Sequence, residues 1–192
     1  MDESLYKTLV FTAIFLALFF VGWSFYDSFI AEKKPGDLDF LTGDQFFEDG
    51  DYQSALSSYH QALTEDPNHI PAIRGVARTL MQLERNDEAM EFFNRAIRMD
   101  PNAGATYANR GILHDRIGEY RLAIADYEKA LQLDQELTEG PHWLTRFLRL
   151  QPEKPPTIAD RANYLKLELA KPASERVLRV KEEDEAQRSY KY

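Results

Sequence analysis

Residues 55–62 read ALSSYHQA, and the same pattern returns as AMEFFNRA at 89–96 and AIADYEKA at 123–130. Ala55, Tyr59 and Ala62 are answered by Ala89, Phe93 and Ala96 and then by Ala123, Tyr127 and Ala130, each set 34 positions after the last. Steps of i+4 and i+3 put the three side chains of each set on one helical face. Self-similarity at this period marks a stack of helical hairpins. A lone hairpin cannot bury such a face, so neighbouring copies must do it. The expected product is an all-α solenoid with a concave surface.

Working outward, each copy is preceded by a second helical stretch. The pattern predicts helices over 38–49 and 52–65, then 70–84 and 87–99, then 105–117 and 120–133. Gly50-Asp51 and Gly118 mark turns. Pro67 and Pro101 end their helices because proline lacks an amide hydrogen and clashes with the preceding turn. The third boundary, Asp134-Gln135, has no proline, so its helix is expected to run on.

These segments resemble the tetratricopeptide repeat family. The carrying residues are the small Gly43, Ala77 and Gly111 in the first helices, the apolar Phe46 and Leu80 three places on, and the boundaries Asp66-Pro67-Asn68 and Asp100-Pro101-Asn102. His114, where Phe46 and Leu80 have apolar counterparts, departs from the pattern. The resemblance covers 36–136, and the repeats are placed at about 36–69, 70–103 and 104–137.

Before them, 19 residues from Thr8 to Tyr26 carry no charge, near the ~20 that a helix needs to cross a membrane. Trp23 and Tyr26 stand at one end, where amphipathic rings favour the interface. Residues 1–31 are read as a single transmembrane helix touching lipid through 8–30, with 32–37 as linker. A cleaved signal peptide is the competing reading; its apolar core would be shorter, ~7–15 residues, with a small-x-small site after it. Lys7 lies before the span and Lys33 and Lys34 after it, so counting basic residues leaves the side of the repeats unresolved, with a slight lean to the extracytoplasmic or periplasmic side.

After the repeats, Trp143, Phe147 and Leu150 at i, i+4 and i+7 suggest a helix over 138–150 that caps the open end of the stack. Pro152 to Pro156 make a stiff spacer. Thr157 and Asp160 resemble a capping box opening a second helix, with Ile158, Ala162, Leu165 and Leu169 as its stripe and Leu167 beside it. Residues 171–192 are a polar tail of the composition that stays disordered alone.

Function follows from the inner surface. In similar proteins the first helix of each repeat lines it, which here places Phe40, Asp44 and Phe47, then Arg74, Arg78 and Met81, then Ala108, Ile112 and Asp115. A groove with apolar ends and two central guanidiniums suits a segment carrying acidic and aromatic residues; the alternative is that the arginines pair with local acids such as Asp44 or Asp115. Some family members clamp a C-terminal carboxylate. The matching places here, Phe40, Asp44, Gly75, Ala105 and Asn109, include an acid that repels one, so docking of chaperone C-termini is not expected.

A formal net charge of −9 argues against nucleic acid. The absence of cysteine excludes disulfides and thiolate metal sites. His60, His69, His114 and His142 are scattered, and no glycine loop cradles phosphate. No enzyme, cofactor, metal or small-molecule substrate is expected. The sequence points to a membrane-tethered protein-interaction module, an adaptor or assembly factor for a membrane protein complex. The alternative is a stoichiometric accessory subunit held by its span and C-terminal extension. Either way the partners are proteins, membrane proteins foremost.

Overall fold

The computed structural model describes residues 3–29, 34–138, 156–180 and 190, and the chain divides into two units, 1–34 and 35–192. The first unit holds α1 (Glu3–Phe29). Its stretch Glu3–Tyr26 is 24 residues long and none of it is buried. At ~1.5 Å per residue it outreaches the ~30 Å of a hydrocarbon core. Two threonine hydroxyls in this stretch are satisfied within the helix: Thr8 Oγ1 donates to the Ser4 carbonyl at 3.0 Å and Thr12 Oγ1 to the Thr8 carbonyl at 2.9 Å. Lys7 pairs with Glu3 at 2.7 Å, below the apolar run. Length and composition fit a membrane span, and they fit an N-terminal signal sequence equally.

The second unit stacks α2 (Asp37–Glu48) on α3 (Tyr52–Glu65), α4 (Ile70–Gln82) on α5 (Asn86–Met99) and α6 (Gly104–Arg116) on α7 (Tyr120–Leu133). Helices α3 and α5 pack in turn on α4 and α6. The in-phase residues are the core. Tyr59, Phe93 and Tyr127 are wholly buried, as are the alanines that flank them. The Tyr59 ring lies between α2 and α4 so closely that a Cβ at Gly43 or Gly75 would come within 2.7 or 2.5 Å of it.

Turns within the hairpins are built alike. Asp51, Arg85 and Glu119 donate their amides to the carbonyls of Phe46, Leu80 and His114 at 2.9, 3.0 and 2.8 Å. This closure places Gly50, Glu84 and Gly118 in the left-handed region, at φ 80°, 58° and 86°, where glycine is the residue without strain.

The breaks between repeats are also alike, and here one expectation is corrected. Helix α7 does not run on; it stops at Leu133 although no proline follows. Asp134 turns extended and its carboxylate accepts the Glu136 amide at 2.9 Å, as Asp66 does for Asn68 at 2.9 Å and Asp100 for Asn102 at 3.2 Å. The aspartate carboxylate competes with the helix for the next amides, so it ends each repeat with or without proline.

A 3-10 turn (Gln135–Thr138) follows, and later α8 (Ile158–Ala170), which packs on α7 and on that turn. The Thr157–Asp160 capping box is formed. Ile158, Ala162 and Leu165 are buried while Leu167 is exposed. Among the described residues, α8 covers the last repeat. The helix expected over 138–150 falls almost wholly outside the described residues, as does the Pro152–Pro156 spacer except for Pro156 itself.

Candidate functional site

Helices α2, α4 and α6 bring the predicted inner-face residues together, but not as an open groove. Phe40 and Phe47 are half-buried; Asp44, Arg74, Arg78, Met81, Ala108, Ile112 and Asp115 are buried. The two guanidiniums are engaged rather than displayed. Arg78 is 2% exposed, donates from Nη2 to Asp44 Oδ1 at 3.2 Å and lies 4.7 Å over the Phe47 ring. The same Asp44 oxygen accepts from Tyr59 Oη at 2.6 Å, so one carboxylate ties the first hairpin to the second. Arg74 donates from Nη2 to Asp100 Oδ2 at 2.6 Å. That bond, with the Asn102 amide also contributing, holds the Asp100 carboxyl below its ordinary value. Local acids therefore take both arginines, as the alternative reading had it, although Arg74 takes Asp100 rather than Asp44 or Asp115.

At the third repeat the inner face meets the chain's own C-terminal part. Arg161 on α8 donates from Nε and Nη2 to Asp115 Oδ2 and Oδ1 at 2.7 and 2.9 Å, and Tyr127 Oη adds a contact to Asp115 Oδ2 at 3.2 Å. Arg161 also donates to the Leu178 carbonyl at 3.0 Å. Arg179 Nη2 donates to the Arg116 carbonyl. Asn109, 3% exposed, donates from Nδ2 to the Tyr190 carbonyl at 2.8 Å and accepts the Tyr190 amide on Oδ1 at 2.7 Å. Leu178 and Tyr190 pack against the same apolar core as the repeats. Burial, aided by the Asp160 carboxylate, pushes the Tyr190 phenol above its ordinary value, against a backbone hydrogen bond at Ile158. In this folded chain, 171–180 and Tyr190 are held by α6 and α8, unlike the free tail that composition suggested.

Two other polar groups prove structural. His69 accepts the Ala72 amide on Nδ1 at 3.1 Å and meets Asp37 Oδ1 through Nε2 at 2.9 Å, so it caps α4 and ties it to the start of α2. His114, the departure from the apolar pattern, is buried, with Nδ1 2.6 Å from Glu119 Oε2 in the turn it closes. No group of three His, Asp or Glu side chains suited to a metal occurs among the described residues.

Sequence reasoning missed Arg161 and Tyr190. Arg161 had a signal: three places after Ile158 and four before Leu165, it falls within the buried stripe of α8. Tyr190 had none, because its partner lies 81 residues away with no repeat to relate them.

Helix pairs of this geometry, with paired small and aromatic residues at their crossings, define a repeat solenoid. The repeats of this chain are tetratricopeptide repeats: models of that family match residues 46–109 and 104–137. The DnaJ homolog subfamily C member 7 homolog of Dictyostelium discoideum is 34% identical over 98 residues, covering 49% of this chain and 18% of that protein. The Hsp70-Hsp90 organizing protein 3 of Arabidopsis thaliana is 26% identical over 119 residues, 60% of this chain and 20% of its own length. The chain thus spans about a fifth of these curated relatives. Among solved structures, the TPR2B-domain:pHsp70-complex of yeast Sti1 aligns with a TM-score of 0.52 at 23% identity, over 62% of this chain and 94% of that one. The first TPR of Spaghetti (RPAP3) bound to HSP90 peptide SRMEEVD aligns at 0.51 with 20% identity, over 64% and 94%. Identities this low speak for the fold alone.

Proposed function

We propose that this chain is a membrane-tethered protein-interaction module, an adaptor or assembly factor for a membrane protein complex, that takes a client segment on the inner face of its repeats. The observation that carries this reading is the joining of three tetratricopeptide repeats to an unburied apolar helix of 24 residues. A binding solenoid held at a membrane meets its neighbours at high effective concentration, so modest contacts suffice. Phe40 and Phe47, half-buried at the rim, are the apolar contacts of that face, and the ion-paired Arg74, Arg78, Asp44 and Asp115 set its shape. Solved relatives hold HSP90 and Hsp70 peptides, but chaperone C-termini are left out of the proposed clients. Asp44 is already held by Tyr59 and Arg78, and Phe40, Gly75 and Ala105 offer an incoming carboxylate no donor side chain.

A second reading, a stoichiometric accessory subunit held by its span and C-terminal extension, is favoured by one observation: the chain's own Arg179 and Tyr190 lie on the third repeat and its Leu178 on α8. Photo-crosslinking side chains at Phe15 in α1, Phe47 on the inner face and Glu91 on the exposed side of α5 separate the two in native membranes. A client captured from Phe47 and not from Glu91 supports the adaptor. A fixed set of subunits captured from Phe15 alone supports the accessory subunit.

A further inference from the structure

Four side chains of α6 and α8 hold the C-terminal part by its main-chain atoms. Asn109 takes both the amide and the carbonyl of Tyr190. Arg161 takes the carbonyl of Leu178. Tyr164 Oη donates to the Val177 carbonyl at 2.7 Å, and Glu168 accepts the Val177 amide at 2.8 Å. A side-chain amide that pairs with both polar groups of one residue requires that residue to be extended, and it reads backbone rather than sequence. Surfaces that bind extended peptides work this way, with main-chain hydrogen bonds for affinity and pockets for alternate side chains. Here the pocket is filled by the Tyr190 ring, packed against the core beside the first turn of α8. Asn109 is 3% exposed with its occupant in place, so no external segment reaches its carboxamide while Tyr190 stays.

We propose that Asn109 and the neighbouring surface of α6 and α8 form a peptide-backbone site whose resident ligand is the chain's own Tyr190, so that an external extended segment with an aromatic side chain binds only by displacing it. The proposal rests on the reading of the inner face as a partner-binding surface and names the device that regulates it. A tethered ligand competes at an effective concentration near millimolar for short flexible linkers, so it suppresses weak or adventitious segments and yields to a client that adds contacts elsewhere on the face.

The test uses the full-length protein in detergent, a variant ending at Val180, and a fluorescent synthetic peptide of residues 184–192. The peptide is expected to bind the shortened chain about tenfold or more tighter than the full chain, and Asn109→Asp, which removes the donor to the carbonyl and keeps the side-chain size, is expected to weaken that binding. In the full chain, the Tyr190 amide is expected to exchange with deuterium more slowly than in the free peptide, and Asn109→Leu, which removes both the donor and the acceptor, to remove the protection. Equal peptide affinity for full and shortened chains would overturn the proposal. So would exchange at the free-peptide rate in the intact protein, a readout that does not depend on how a variant folds. Neither assay needs a client, so a protected Tyr190 amide together with no client captured from Phe47 would reject the adaptor reading while the self-contact of Tyr190 on Asn109 stands, and equal affinities would reject the self-contact while the adaptor reading stands.

Discussion

Arg161 and Asp115, 46 residues apart on α8 and α6, meet through two hydrogen bonds of 2.7 and 2.9 Å while each side chain is 3% exposed. A pair so deeply buried fixes where α8 lies more than it adds stability, because desolvating two charges offsets much of their attraction. Removing one partner is different. Arg161→Ala strands a buried carboxylate and is expected to cost about 3–5 kcal/mol in chemical denaturation, whereas Asp115→Leu with Arg161→Met should lie much nearer wild type. A loss under about 1 kcal/mol, the range of exposed pairs, would mean that α8 does not dock in solution.

The close approach of α2 and α4 around Tyr59 gives a second prediction. Gly75→Ala would bring a methyl within 2.5 Å of that ring and is expected to cost about 1–3 kcal/mol. Gly22→Ala in α1 meets nothing within 4 Å and should leave the thermal melt of the repeat unit unchanged. A melt unaffected by Gly75→Ala would show that the helices are not packed as described.

Glu84 occupies the left-handed turn position that glycine holds in the other two hairpins. It is exposed, and a non-glycine residue there carries roughly 1 kcal/mol of strain. Glu84→Gly is therefore expected to raise the melting temperature, and Gly118→Ala, at φ 86°, to lower it. Opposite shifts would place the strain elsewhere.

Acid should loosen the segment after α8. The Glu168 carboxyl is held below its ordinary value of 4.5, first by the Lys171 ammonium and then by the Val177 amide. A carboxyl whose folded value is depressed contributes stability that is fully present above the unfolded value and is lost as pH falls through the folded one. Wild type should be more stable than Glu168→Gln at neutral pH, and the difference should shrink below pH 4.5. A difference independent of pH would show that the contribution comes from packing.

For α1, the expectation is that the full chain stays with membranes through an alkaline wash and keeps residues 3–26 by intact mass. Release by the wash, or loss of those residues, would assign the helix to a signal sequence.

What the sequence made legible follows from how each feature is encoded. The ends of α3 and α5 were readable from Pro67 and Pro101, whereas the end of α7 was not, because the local stop there is the Asp134 carboxylate acting as Asp66 and Asp100 do, without a proline to mark it. The core was readable because Tyr59, Phe93 and Tyr127 repeat. The inner face was readable only as a set of positions. Position says that Arg74 and Arg78 share a helical face, but what they pair with is Asp100, just past the end of α5, and Asp44 of α2. Tyr190 on Asn109 is a single long-range contact with no period behind it, and such contacts leave no local trace.

The most direct test of the central claim, that the inner face takes a client at a membrane, is photo-crosslinking from Phe47 in native membranes, quantified by mass spectrometry for the full chain and for the chain ending at Val180. A defined protein adduct from Phe47 is expected, absent from Glu91, with a yield that rises when residues 181–192 are removed. No adduct from Phe47 in either chain would contradict the claim.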